Sequence, residues 1–182
     1  ADLRWLRPVY PGDALGAVTQ VIGLKQNSNG KTGIVWVRTV GVNAAGEDVL
    51  SFVRWVMVRK RDVDAPAPEA VVPDLPNHVP ATELAIPYGL DFTDYGLSEV
   101  RAPHRLGDYQ VGEIIDHVDG VTVEEAEHMM ATRLWQNTAK VHFDITARPD
   151  GSRLIYGGHV ISMARALSFN GLANAQMMVA LN

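Results

Sequence analysis

The chain contains no cysteine among its 182 residues, which excludes disulfides, thiolate metal ligands and cysteine nucleophiles. It also has no apolar run of the roughly 18 residues that a membrane span needs, and its first residues lack the pattern of a signal peptide. A net charge of −5 argues against a general nucleic-acid binder. We therefore expect a soluble cytoplasmic protein that binds neither nucleic acid nor a membrane.

Several catalytic and cofactor motifs are absent as well. No Gly-x-Ser-x-Gly motif occurs, and no glycine-rich loop has the spacing of a phosphate-binding or dinucleotide-binding motif. The histidines at positions 104, 117 and 128 lack partners at metal-ligand spacing. The sequence therefore predicts no metal site.

Composition divides the chain into three blocks. Overall, 47% of the residues are apolar and 20% are charged, which is typical of a globular protein. Residues 1–62 carry a charge of +4 and residues 63–182 a charge of −9, while seven of the ten prolines lie between Pro66 and Pro103. We expect strands in residues 1–62, a proline-rich linker in residues 63–108 and a separate unit in residues 109–182.

The first block has the pattern of three long antiparallel strands. Residues 33–42 and 49–59 are rich in β-branched and alternating apolar side chains, and polar turns flank both segments. An earlier apolar segment around Val18 follows a turn-like Pro-Gly-Asp at residues 11–13. The expected arrangement is an antiparallel meander.

The linker is too apolar for a disordered segment, so we expect it to pack along a surface. Its large apolar side chains are Leu75, Leu84, Ile86, Tyr88 and Phe92.

The last block changes from strand to helix. We expect a short strand over residues 109–118, and the Thr122/Glu125 spacing predicts a capping box that starts a helix reaching Leu134. Residues 157–158 are two glycines that open a second helix, whose only charged residue is Arg165. A helix so apolar is normally covered, so we expect β-sheet to bury Met163 and Leu167.

These parts make an α+β hot-dog fold, in which an antiparallel sheet wraps a long central helix. Their order is unusual, because a hot-dog domain begins with a strand and its helix, and the remaining strands follow. Here the later strands come first, and the opening strand and helix come last.

Two segments of the last block are distinctive: residues 133–144, RLWQNTAKVHFD, and residues 157–172, GGHVISMARALSFNGL. Both resemble the MaoC-like dehydratases, within that family most closely the mesaconyl-CoA hydratase (β-methylmalyl-CoA dehydratase) group. Members of this group are tandem double hot dogs. The resemblance implies that residues 1–62 are the closing strands of a first repeat, residues 63–108 the linker, and residues 109–182 the opening of a second repeat. It favours a fragment or a partly represented longer protein over a circular permutant.

The resemblance implies a lyase that reversibly adds water to a short branched or dicarboxylic enoyl-CoA thioester. His142 stands at the histidine of the family motif, and an imidazole exchanges protons near neutral pH. Asn137 stands where the family has aspartate, and an amide can orient water or substrate but cannot take a proton. Asp144, two residues past His142, is expected to face solvent rather than replace that acid.

The second segment implies the groups that bind the thioester. Gly158 and His159 stand where the family places donors to the carbonyl oxygen, at the N-terminus of a helix. Ser162 is a candidate contact for a substrate carboxylate, and Arg165 for a carboxylate or a CoA phosphate. No cofactor is implied, because the CoA thioester is itself the substrate.

Three functions remain open from the sequence. The first is the hydratase, and the second is a non-catalytic hot-dog module that binds acyl-CoA or stabilises a partner subunit. A hot-dog thioesterase is a weaker third, since the carboxylate usual on its helix is absent. The expected assembly is a homo-oligomer, or completion of the fold by further hot-dog polypeptide.

Overall fold

The computed structural model describes residues 2–86, 91, 93–94, 104–175 and 177–181. The chain forms two compact units. The first, here called the sheet unit, comprises residues 1–93 and 177–182. The second, the helical unit, comprises residues 94–176.

The sheet unit contains one antiparallel sheet of five strands: β1 (Leu3–Trp5), β2 (Leu15–Gln26), β3 (Thr32–Asn43), β4 (Asp48–Arg59) and β5 (Ala180–Leu181). Their order in the sheet is β2-β3-β4-β1-β5, so β2 is an edge strand. The three long strands β2, β3 and β4 have twelve residues each and are consecutive neighbours, which confirms the meander that the sequence predicts.

Tight polar turns fix the register of the long strands. Between β2 and β3 the Asn27 amide donates to the Thr32 carbonyl at 2.9 Å, and Gly30 takes a left-handed φ of 66°. Between β3 and β4 the Asn43 amide donates to the Glu47 carbonyl at 3.0 Å, and Gly46 has a φ of 78°. Glycine adopts this conformation without steric cost, so both hairpins can close tightly.

The core of the sheet unit consists of small apolar side chains from neighbouring strands. Val37 of β3 and Val49 and Val53 of β4 are buried, and Val53 is only 2% exposed. The hydroxyls of Thr19 and Thr39 lie 3.0 Å apart across β2 and β3, so this pair is satisfied within the sheet.

Part of the proline-rich segment packs on strand β2, around Val71 and Pro73, whereas Ile86 of the same segment is 78% exposed. Leu24 and Val71 exchange both backbone hydrogen bonds, at 2.8 and 2.9 Å. A Cβ on Gly23 would come within 2.6 Å of Pro73 Cδ, so glycine is what permits this close approach. Tyr88 and Phe92, for which the sequence also predicts packing, lie outside the described residues.

The helical unit contains four α-helices and two single-turn 3₁₀ helices in its described residues. The second long helix begins at Gly157, as predicted, and ends at Leu167 because the Ser168 hydroxyl binds the Arg165 carbonyl at 2.8 Å. The helices are α1 (Glu125–Leu134), α2 (Lys140–Phe143), α3 (Gly157–Leu167) and α4 (Phe169–Leu172). None of the helices in the described ranges is long and apolar enough to span a bilayer.

The strand predicted over residues 109–118 is wrong. Gly112 turns the chain with a φ of 87°, and Val118 has a φ of 65°, which a β-branched residue rarely adopts. A strand also needs a neighbour to pair with, and residues 104–175 contain no other strand. The segment is instead anchored by Tyr109, whose hydroxyl donates to the Gly171 carbonyl at 2.9 Å.

The predicted capping box at the start of α1 is also wrong. The helix begins at Glu125 with Glu124 as its N-cap, and no side chain caps it. The reason is the Glu125 carboxylate, which binds the Arg153 guanidinium instead of reaching back to Thr122. Acidic residues in the first turn still favour this start through the helix dipole.

Helix α3 is not buried in the chain, contrary to the expected cover of β-sheet. None of its eleven residues is buried. Val160 and Ile161 are 47% and 54% exposed, while Met163 and Leu167 are half-buried. The apolar surface of this helix was expected from the sequence, but its cover is not among the described residues.

Candidate functional site

The backbone of one loop holds the His142 imidazole in a defined tautomer. His142 Nδ1 lies 2.7 Å from the carbonyl oxygen of Leu154. A carbonyl oxygen can only accept, so Nδ1 carries the hydrogen and Nε2 of the neutral ring keeps its lone pair. The Leu154 amide donates to the Val141 carbonyl at 3.0 Å, which ties the same loop to helix α2. His142 is therefore arranged to accept a proton at Nε2.

An aromatic contact joins His142 to the start of helix α3. The Tyr156 ring lies edge-on to His142 at 6.3 Å between centroids, and it lies 5.9 Å from the His159 ring. Tyr156 also occupies the space beside Gly158, where a Cβ would meet Tyr156 Cε2 at 2.8 Å. The structure thus brings together His142, Gly158 and His159.

The backbone amides at the N-terminus of α3 differ in whether they have a hydrogen-bond acceptor. The His159 amide donates to the Tyr156 carbonyl at 3.1 Å, so it is already used within the chain. The amides of Gly157 and Gly158 have no acceptor among the described residues, as is usual in a first helical turn. Two donors at a positive helix end can stabilise a developing oxyanion.

Asn137 is placed by the C-terminus of α1. Its backbone amide donates to the Thr132 carbonyl at 3.0 Å, and the Gln136 backbone amide donates to the Arg133 carbonyl at 3.1 Å. This pair of bonds is the Schellman motif, in which the residue before Asn137 must be left-handed. Gln136 accordingly has a φ of 51°, a conformation that favours glycine.

Asn137 lines a cavity of about 260 Å³ in the helical unit. The His142 side chain does not line it, so the structure does not place Asn137 and His142 in the same cavity. The described lining residues are Met129, Thr132, Arg133, Gln136, Asn137, Thr138, Phe143 and Arg153.

The helical unit contains buried polar atoms without partners, and two of them, Thr132 Oγ1 and Arg153 Nε, belong to residues that line this cavity. The side chains of His128 and Thr132, one turn apart on α1, are only 2% and 1% exposed. His128 Nε2, Thr132 Oγ1, Arg153 Nε and His159 Nε2 are all buried without a hydrogen-bond partner. Such atoms are costly unless water or a ligand satisfies them.

The electrostatic environment ties His128 to the predicted site. Burial lowers the pKa of His128 below its ordinary value, and electrostatic interactions with His142, His159 and Arg153 lower it further. The carboxylate of Glu125 opposes that shift. His128 is therefore a neutral buried imidazole close to both predicted site histidines.

The other predicted site residues make local contacts. The Ser162 hydroxyl donates to the Gly158 carbonyl at 2.9 Å, and Arg165 donates to the Ala175 carbonyl at 3.2 Å. Asp144 accepts bonds from the amide and hydroxyl of Thr146, which lower the pKa of its carboxyl group. Asp144 thus caps a turn and offers no proton to His142.

Three neighbours of the site are absent from the sequence prediction: His128, Arg153 and Tyr156. His128 and Thr132 share one face of α1 at a spacing of four residues, which is a visible signal. Tyr156 and Arg153 reach the site through the loop before α3, and no periodicity marks a loop contact. Within the described ranges, no three His, Asp or Glu side chains are grouped so that they could hold a metal ion.

A larger cavity of about 600 Å³ lies in the sheet unit, and none of the predicted site residues lines it. Its lining is mostly apolar and includes Trp5, Leu15, Leu50 and Met178. Its described lining contains no paired acid–base groups.

Comparison with solved structures defines the class of protein. The chain superposes over its whole length, with a TM-score of 0.93 and 56% identity, on 54% of a MaoC domain dehydratase from Chloroflexus aurantiacus. It also matches 54% of a Mycobacterium tuberculosis protein with a double hot-dog fold, over 96% of the chain at 26% identity and a TM-score of 0.59. The predicted hot-dog fold and the resemblance to MaoC-like dehydratases are confirmed.

Comparison with curated proteins shows which dehydratases and hydratases the chain is similar to. Over all 182 residues the chain is 72% identical to mesaconyl-CoA hydratase of Cereibacter sphaeroides and covers 53% of it. Over 177 residues it is 59% identical to β-methylmalyl-CoA dehydratase of Chloroflexus aurantiacus and covers 50% of it. The chain spans about half the length of these relatives. No protein-family profile matches the chain.

Proposed function

We propose that the protein containing this chain is a hydro-lyase that reversibly hydrates a short branched or dicarboxylic enoyl-CoA, of the mesaconyl-CoA/β-methylmalyl-CoA type. The single observation that carries the proposal is the His142 imidazole, whose Nδ1 is held by the Leu154 carbonyl and whose ring contacts Tyr156, the N-cap of α3. The names of the two curated relatives support the same reaction and the same substrate class.

The proposed reaction begins with proton abstraction from water by His142 Nε2. The oxygen of this water forms a bond to the β-carbon, and the π electrons move through the α-carbon onto the thioester oxygen. The amides of Gly157 and Gly158 stabilise that enolate oxygen. The imidazolium of His142 then returns the proton to the α-carbon, so one water is added and no cofactor is consumed.

Other predicted residues have supporting roles in this proposal. Asn137, which lines a cavity that His142 does not line, orients the substrate through its side-chain amide, and His159 and Ser162 support the first turn of α3. Arg165 remains a candidate for a CoA phosphate through the donors that Ala175 does not use.

We further propose how the chain fits a complete enzyme. Residues 1–62 are the closing strands of one hot dog, residues 63–108 the linker, and residues 109–182 the opening of the second. The exposed apolar side chains of α3 are then covered by further hot-dog polypeptide or by another subunit of a homo-oligomer. The cytoplasmic location stays a prediction.

A binding module without catalysis is the second candidate, and Asn137 is the observation that favours it. An amide at the acid position is also what a site that binds acyl-CoA without turning it over would contain. Steady-state assays of the whole polypeptide with a panel of enoyl-CoA and 3-hydroxyacyl-CoA thioesters separate the two. Turnover of at least one thioester is expected; tight binding with no turnover of any would establish the module instead.

A further inference from the structure

The cavity beside Asn137 has a lining suited to an anion. Its described residues include two arginines, Arg133 and Arg153, and no acidic side chain. Arg133 has no carboxylate partner in the described part of the chain, and Arg153 contacts Glu125 with one terminal nitrogen only. An arginine offers five donors, so both side chains keep donors for a ligand.

Two buried groups without hydrogen-bond partners, one on Arg153 and one on Thr132, indicate that a ligand enters the cavity. The Arg153 side chain is 19% exposed, yet its Nε is buried without a partner. The Thr132 side chain is only 1% exposed, lines the cavity, and its hydroxyl likewise has no partner. Both residues line the same cavity, so an oxygen bound there can accept from the guanidinium and from the hydroxyl.

The chemistry of the proposed substrate supplies such an oxygen next to Asn137. In an enoyl-CoA of the 2-methylfumaryl type the second carboxylate is attached to the β-carbon, where water adds. An anion pocket must therefore adjoin the group that orients this end of the acyl chain, and Asn137 lines the same cavity as Arg153. Met129 and Phe143 give the remaining wall an apolar surface that suits a methyl branch.

We propose that Arg153, with Thr132 and Arg133, binds the distal carboxylate of the acyl chain and makes the enzyme select dicarboxylic over monocarboxylic enoyl-CoA thioesters. This inference rests on the proposed hydratase function. It assigns to the Arg153 cavity the carboxylate recognition that the sequence alone placed at Ser162 or Arg165.

The test compares two substrates that differ only in the distal group, 2-methylfumaryl-CoA and 2-methylcrotonyl-CoA. The whole wild-type polypeptide is expected to favour the dicarboxylic substrate at least tenfold in kcat/KM, since hydrogen bonds between charged groups are strong. Turnover of both without preference overturns the carboxylate site. Turnover of neither contradicts the hydratase function itself, so the two failures are distinguishable.

Variants then test which residue causes the preference for the dicarboxylic substrate. Arg153→Met should lower the kcat/KM ratio at least tenfold, and Arg153→Lys less, because lysine keeps the charge but loses the planar fork. Arg148→Met is the matched control: Arg148 pairs with Asp150 at 3.0 Å outside the cavity, and its loss should leave the ratio unchanged. Equal losses on both substrates would mean that Arg153 binds the CoA moiety or only supports the fold. If Arg153→Met does not fold, the Lys variant and the wild-type ratio still decide.

Discussion

The sheet unit and the helical unit bury different kinds of side chain. In the described residues of the sheet unit, Val37, Val49 and Val53 form the core, and the hydroxyl of the buried Thr39 has its partner in Thr19. In the helical unit the fully buried side chains of α1 are polar, His128 and Thr132, and both keep unpartnered atoms. Meanwhile the apolar helix α3 has no buried residue.

This difference indicates that the sheet unit contributes mainly to stability and the helical unit mainly to binding. In the sheet unit strand pairing satisfies the backbone of the long strands, and among its described residues Gln26 Oε1 is the buried side-chain atom left without a partner. The helical unit keeps buried donors and acceptors free, and such groups are retained where a ligand or water completes them. Substitutions in the sheet unit should therefore change stability, and those in the helical unit should change activity first.

The largest expected effect is on activity. In the whole polypeptide, His142→Ala should reduce kcat/KM about 10²–10⁴-fold, because general acid–base assistance is lost. Asn137→Ala should cost less, since it removes an orienting group and no proton carrier, and Asn137→Asp should keep or raise the rate. The exposed His78 of the sheet unit is the control, with His78→Ala unchanged. If His142→Ala stays within about threefold of wild type, that is too small a loss for acid–base assistance.

The next effect is on the sheet core. Val53→Ala removes two buried methyl groups and should lower the free energy of unfolding of the chain by about 2–3 kcal/mol in a urea titration. Val160→Ala on the exposed face of α3 should change it by less than about 0.5 kcal/mol. Equal losses at the two positions would contradict the contrast between a packed sheet and an uncovered helix.

A smaller effect on the free energy of unfolding is expected at Gln136, the residue before Asn137. Gln136→Gly should raise the free energy of unfolding by about 0.5–1 kcal/mol, because glycine adopts the left-handed backbone without the steric cost that glutamine incurs. Ala139→Gly is the control: Ala139 has a φ of −66°, so glycine there should destabilise. Destabilisation by Gln136→Gly would show that the glutamine side chain contributes more than its backbone costs.

The smallest effect is a pH dependence. Burial lowers the pKa of His128 in the folded chain below the ordinary 6.5, so between these values the unfolded chain binds the extra proton. The free energy of unfolding should therefore rise with pH across that window. His128→Phe should flatten this slope, as measured by thermal unfolding between about pH 5 and 7, whereas His78→Phe should leave it unchanged. An unchanged slope in His128→Phe would mean that another group carries the pH dependence.

The hairpins could be predicted because the relevant interactions are local. Alternation in residues 33–42 and 49–59, with glycine at 30 and 46, specifies both strands and both turns. The start of α3 at Gly157 is equally local. The predicted strand at 109–118 failed because a strand depends on a neighbour that no alternation can supply. The capping box failed because Glu125 binds Arg153, 28 residues away.

By itself the sequence determined the meander, the position of α3 and the motif that places His142 and Asn137 in one short segment. The tertiary structure alone decided the tautomer of His142, the burial of His128 and Thr132, and the approach of Arg153 to the Asn137 cavity. The physical reason is the distance along the sequence over which each kind of interaction acts. Periodicity and turn chemistry act over a few residues, whereas hydrogen-bond partners, burial and electrostatic fields depend on residues that folding brings together.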